Sequence, residues 1–198
     1  MSEGGGRTRR RGEELIKAIH AAVLEEVAEA GVGRLTMEGI ARRAATPRTT
    51  LYRRWSDPVE VLVDALYHAH PVEEPTPGSD DLRGDLIRAL RLMVEWARSP
   101  AGRAVAISLT DPKGYEMISE PLYEKVFAGR GGTFTATVLR HYAERGHFPA
   151  RRLTRVVLDI GEALVLKRLI DAGPPPGDDD LADIVDQAIL PALGLGER

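Results

Sequence analysis

Arg48, Thr49, Thr50, Tyr52, Arg53 and Arg54 are the side chains whose types and spacing best suit chemistry in this sequence. They surround Leu51 and Trp55, which are four residues apart and so share one side of a helix. The types opposite that apolar seam suit recognition rather than bond-making. Arginine can hold a guanine edge through two hydrogen bonds, and threonine can offer a hydroxyl to a base or its methyl to thymine. The phenol of Tyr52 and the guanidinium groups of Arg53 and Arg54 suit phosphates, which set register but not sequence. A short helix with one apolar seam and an outer face of Arg, Thr and Tyr fits a DNA-reading helix. A helical hairpin with a solvated basic face fits the same composition.

The elements that must position these residues follow from caps and periodicity. Thr36 suits an N-cap, because its hydroxyl can accept from an orphan backbone N–H. Met37, Ile40, Ala41 and Ala44 then recur on one helical face, with Arg42 and Arg43 off it. At Ala45-Thr46-Pro47 the pattern stops; Thr46 is predicted to cap a second helix with Pro47 at its first position. Before this hairpin, residues 13–30 form a strong helical pattern, with Leu15, Ile16, Ile19, Val23 and Val27 in one stripe and Gly31 as its C-cap. After it, Asp57-Pro58 opens another helix, which buries Val59, Leu62, Val63 and Leu66 and ends near His70.

The run TMEGIARRAATPRTTLYRRW, residues 36–55, resembles the DNA-binding signature of the tetracycline-repressor (TetR) family of bacterial regulators. The matching features are the Thr36 cap, Ile40-Ala41, the small-residue turn at Ala44-Ala45, and Thr50-Leu51-Tyr52 followed by Trp55. The resemblance implies that Thr36 caps the motif's first helix and contacts backbone, that Arg48 and Thr49 face base edges, and that Thr50 and Tyr52 hold phosphates. It covers residues 13–67 well and the remainder weakly. Three positions depart from the family pattern. Ala45 stands where glycine is common at the turn. Gly39 lies inside the first helix, at a cost of about 1 kcal/mol relative to alanine. Pro58 replaces a lysine that would contact phosphate, a role Arg53 or Arg54 could take over.

The totals bound the remaining possibilities. The chain has 198 residues, with 43% hydrophobic and 29% charged, as in a globular protein with a real core. It contains no cysteine, which excludes disulfides, zinc-thiolate sites and thiol catalysis. The net charge is −3, yet residues 34–58 carry six arginines against Glu38 and Asp57. That asymmetry predicts a DNA-binding end and a remainder with a different purpose. No apolar run approaches the roughly 20 residues that span a bilayer, and no secretion signal is evident, so a cytoplasmic location and no membrane partner are expected. The excess of arginine over lysine hints at a GC-rich bacterial genome. GxSxG, P-loop and dinucleotide motifs are absent. The five histidines, His20, His68, His70, His141 and His147, show no ligand spacing, so no metal, cofactor or enzyme activity is expected.

The expected organisation is a disordered basic arm (1–12), a helix-turn-helix domain with a connecting helix (13–70), a linker (71–79), and a regulatory and dimerisation domain (80–198). All of it reads as α-helix, without strands or repeats. In the last part, Leu82, Leu86, Leu90, Met93 and Ala97 form one stripe. Ser99-Pro100, Asp111-Pro112 and Glu120-Pro121 mark starts or breaks, and the glycines at 129, 131 and 132 interrupt the helical pattern. Trp96, Tyr115, Tyr123, Phe127, His141 and Tyr142 are the candidates to line a small-molecule pocket. Residues 153–172 are apolar on more than one side, and Asp178, Asp179 and Asp180 open a final helix whose dipole they complement. This surplus apolar surface predicts either a partner surface or a buried pair within a monomer. The resemblance implies homodimerisation through these two helices as a four-helix bundle, with Val157, Ile160, Gly161, Leu164, Ile184 and Ala188 at the contact.

The function expected from these features is a dimeric, ligand-responsive transcriptional regulator, a repressor, on a palindromic DNA operator. An activator without a small-molecule ligand, and a helical interaction module that binds no specific DNA, remain open.

Overall fold

The computed structural model describes residues 4–72, 74, 80–130, 132–171 and 174–196, without the side chains of 4–11 and 130. Among the described residues every regular element is helical. In chain order these are α1 (Gly4–Ala30), α2 (Met37–Arg43), α3 (Arg48–Tyr52), α4 (Pro58–Ala69), α5 (Leu82–Arg98), α6 (Pro100–Thr110), α7 (Pro112–Pro121), α8 (Phe134–Glu144), α9 (Arg155–Ile170) and α10 (Asp178–Ile184). A π turn, Val185–Ile189, carries the last helix on to Leu190–Ala192.

Most helix starts follow the caps read from the sequence. Thr36 Oγ1 accepts from Gly39 N–H at 3.0 Å. Asp57 accepts from Glu60 N–H at 3.0 Å, with Pro58 in the first turn where no donor is needed. Ser99 and Asp111 do the same for α6 and α7, at 3.1 and 2.7 Å. Asp178, Asp179 and Asp180 occupy the first turn of α10.

Four details differ from expectation. Helix α1 extends back to Gly4, where a disordered arm was expected through residue 12. Once turns at Ile19 and Val23 are fixed by burial, added N-terminal residues each gain a bond without a new nucleus, and arginine is a good helix former. Pro47 rather than Thr46 is the N-cap of α3, and no side chain caps that end. Pro121 does not break the chain's helical path: α7 runs through it into a π turn, Leu122–Phe127. Ile118, Leu122 and Val126 are buried at a spacing of four and hold that path despite the lost N–H. The expected linker, 71–79, lies mostly outside the described residues.

The chain forms two compact units, and the division does not follow the expected boundary. The first comprises residues 1–70 and 98–126; the second, 71–97 and 127–198. Helices α6 and α7 thus pack with the N-terminal helices, α6 along α1 and α7 against the short turn Val32–Arg34. The first unit buries Ile19, Val23, Ile40, Leu51, Leu62 and Leu66, and the second buries Leu86, Leu90, Val138, Leu139, Val165 and Ile189.

Candidate nucleic-acid interface

Helix α2 sits on α1 and α3 on α2, with Ile40, Ala41 and Leu51 all buried. Gly39 faces the end of the Glu26 side chain: a Cβ there would lie 2.6 Å from Glu26 Oε1, which would have to shift. Arg43 fixes the same contact from its other side, donating to Glu26 at 2.9 Å and to Glu29 at 2.5 Å. Ala45 makes the turn with φ of 48°, in the left-handed region that favours glycine.

Helix α3 is only five residues long, yet its two sides are clearly separated. Leu51 is fully buried. Trp55 lies beyond the helix end, but its N–H still bonds to Leu51 O at 3.0 Å and its ring is buried. The seam expected of Leu51 and Trp55 is present, with that i to i+4 bond carrying it one turn past the helix end. Arg48, Thr49, Tyr52, Arg53 and Arg54 are exposed, Thr36 is exposed at the start of α2, and Thr50 is half-buried. Arg48 pairs with Glu38 across the motif. Both are well exposed, so this pair is weak and can exchange for another anion or a base edge.

The six candidates for a small-molecule pocket divide between the two units. Tyr115 and Tyr123 belong to the first unit and point largely into solvent, 56% and 66% exposed. Trp96, Phe127, His141 and Tyr142 belong to the second unit. Tyr142 is a core residue: it is fully buried and its hydroxyl donates to buried Asp85 at 2.6 Å. Trp96 packs against Phe134, ring centres 5.8 Å apart. Tyr142 and Trp96 are thus used in packing, and apolar periodicity cannot distinguish the wall of a pocket from a filled core.

The residues expected at a dimer contact also divide. Val157, Gly161 and Ile184 are buried within the second unit. Gly161 serves this chain's own packing, since a Cβ there would meet Ile189 Cδ1 at 2.7 Å. Leu164 is exposed, and Ile160 and Ala188 are half-buried. Val156, Leu166 and Ile170 are 70%, 52% and 72% exposed and lie outside the expected contact set, although Val156 belongs to the apolar surplus read from the sequence.

One cluster escaped sequence reasoning altogether. His20 of α1 meets Asp64 of α4, Nε2 to Oδ2 at 3.1 Å, and His68 Nδ1 lies 3.2 Å from Asp64 Oδ1. Trp55 Nε1–H donates to Asp64 Oδ2 at 3.1 Å. Burial holds the His20 pKa below its ordinary value, against the opposing pull of Asp64. The Asp64–His68 spacing of four was the signal available in the sequence; His20 lies 44 residues away.

These features define a helix-turn-helix unit with an exposed Arg/Thr/Tyr face, and the sequence comparisons give its class. The family described as bacterial regulatory proteins, tetR family, matches residues 19–65. The family described as tetracyclin repressor-like, C-terminal domain, matches residues 76–188, more than half of the chain. Similar proteins include the DNA-binding transcriptional repressor TetR of Mycobacteroides abscessus, 25% identical over 189 residues, with 95% of this chain and 98% of the relative covered. An HTH-type transcriptional regulator of Mycobacterium tuberculosis is 25% identical over 173 residues, covering 87% and 85%. The HTH-type transcriptional regulator AqdR of Rhodococcus erythropolis is 30% identical over 101 residues, covering 51% and 49%. The chain belongs to the TetR family of transcriptional regulators. It is a DNA-binding regulator and not an enzyme. No described helix is long and apolar enough to cross a membrane.

Proposed function

We propose that the protein is a dimeric repressor that reads a palindromic operator with α3 and releases it when a small molecule binds the regulatory part. The observation that carries the reading is the exposed face of α3 opposite buried Leu51. Arg48 and Thr49 face base edges; Thr36, Thr50, Tyr52, Arg53 and Arg54 hold phosphates. Arg48 leaves Glu38 on binding, exchanging one exposed anion for a base edge. Two reading helices enter successive major grooves roughly 34 Å apart. The partner copy docks on the outer face of α9, through Ile160 and Leu164 with Ala188, and Val156, Leu166 and Ile170 extend that apolar face. The effector acts by its difference in affinity between the DNA-competent and DNA-incompetent states.

Footprinting on the DNA flanking its own gene, across a salt series, tests this. The expected result is a protected imperfect palindrome whose occupancy falls steeply with salt. A folded protein that protects no site there, and selects none from random-sequence DNA, would overturn it.

A further inference from the structure

The geometry points to a binding site for a divalent transition-metal ion of the zinc type, formed by His20, Asp64 and His68 between α1 and α4. Each of the three residues offers a ligand atom, and these atoms all lie within 4.8 Å of one another. A tetrahedral ion with ligand distances near 2.0–2.1 Å needs its ligand atoms roughly 3.3 Å apart. One separation, His20 Nε2 to Asp64 Oδ2 at 3.1 Å, is already near that value. His68 is the outermost ligand, with its side chain 56% exposed, so a small shift of the side chain toward the other two completes the spacing.

The chemistry of the donors agrees. Two imidazoles and one carboxylate form a set of borderline softness, which favours first-row transition metals over calcium or magnesium. The surroundings supply what a metal site requires beyond its ligands. Trp55 Nε1–H donates to Asp64 and orients the carboxylate. His68 Nδ1 lies 2.8 Å from Asp64 O; with Nδ1–H donating there, Nε2 is left as the ligand atom. Ligand burial is graded, from the largely covered His20 to the exposed His68, which leaves an entry path. His20 and His68 also line a cavity of about 710 Å³, bounded by Ile16, Leu24 and Ala65, where a water or an outside ligand can take a fourth position. Lys17 and Arg54 on that cavity's wall oppose a cation, and Glu13 offsets one of them. Because Trp55 and Asp64 tie the end of the reading motif to α4, occupancy reaches the DNA-binding unit directly. This inference does not depend on the operator or the effector proposed above.

The test is Co²⁺ titration of the untagged full-length protein, followed in the visible region and reversed by Zn²⁺. The wild type should show one ion per chain, with the intense bands of a low-symmetry nitrogen–oxygen site. His68→Gln and Asp64→Asn should each weaken binding by about tenfold or more, while His141→Gln should not. His68 is exposed enough for its substitution to leave the fold intact, checked by melting without metal. A wild-type spectrum identical to hydrated Co²⁺, or a His68→Gln protein that binds as the wild type does, would overturn the assignment and leave a hydrogen-bonded cluster only.

Discussion

Helices α3 and α9 each bury one narrow seam, and they differ in what faces away from it. In α3 the seam is Leu51, and the outward residues are Arg48, Thr49 and Tyr52. In α9 the seam is Val157, Gly161 and Val165, and the outward residues include Val156, Leu166 and Ile170. The first outer face is at ease in water and carries hydrogen-bonding groups suited to another polyelectrolyte. The second leaves apolar area hydrated at roughly 25 cal/mol per Å², which a partner's apolar face would relieve. Similar packing economy thus yields two kinds of surface, one suited to nucleic acid and one to a second copy of the chain.

Several measurements can break or sharpen that contrast. The largest effect is expected on α9. Leu164→Arg places a charge on its outer face, where Leu164 is 37% exposed, and should convert a dimer into a monomer with its helices intact. Sedimentation checks this, and a variant that keeps the wild-type mass would remove α9 as the partner surface. A smaller effect is expected at the turn before α3. Ala45→Gly relieves the left-handed strain at φ of 48° and should raise stability by about 0.5–1 kcal/mol, offset in part by the freer unfolded chain. Thermal melting reads it as a rise of a few degrees.

The smallest effects are in pH, and they have opposite signs in the two units. His20 has its folded pKa lowered by burial, so just below its ordinary value of 6.5 the unfolded chain binds more protons. The stability tied to it is present above that value and is lost as pH falls toward the folded one. Glu162 has its pKa raised above 4.5 by burial, although Thr133 and Thr135 hydrogen-bond to its carboxylate. Its stability is present in acid and is lost as pH rises through the raised value. His20→Gln should flatten the acid side of the melting profile, and Glu162→Gln should flatten the neutral side and raise the neutral melting temperature.

The sequence was most legible where a local rule acts alone. Thr36, Asp57-Pro58, Ser99-Pro100 and Asp111-Pro112 all mark helix starts, because a cap is a contact over three residues. The separation of α3 into buried and exposed sides was equally readable from Leu51 and its neighbours. Long-range pairing was not. Tyr142 and Asp85 are 57 residues apart, so a tyrosine on a helical stripe looked like a pocket wall when it is a buried hydrogen-bond donor. Gly161 looked like a point of approach for another chain, and the approaching residue is Ile189 of the same chain. The packing of 98–126 with the first unit was invisible for the same reason. An apolar stripe states that a face is covered and says nothing about which element covers it.

The central claim is that α3 reads sequence. The most direct test is fluorescence anisotropy of wild type and Arg48→Ala on the footprinted duplex and on a scrambled duplex of equal length and salt. The account predicts that the wild type prefers the operator, and that Arg48→Ala loses about ten- to hundredfold on it while binding the scrambled duplex almost as before. Equal affinity of the wild type for both duplexes, or an Arg48→Ala protein that discriminates as well as the wild type, would contradict it.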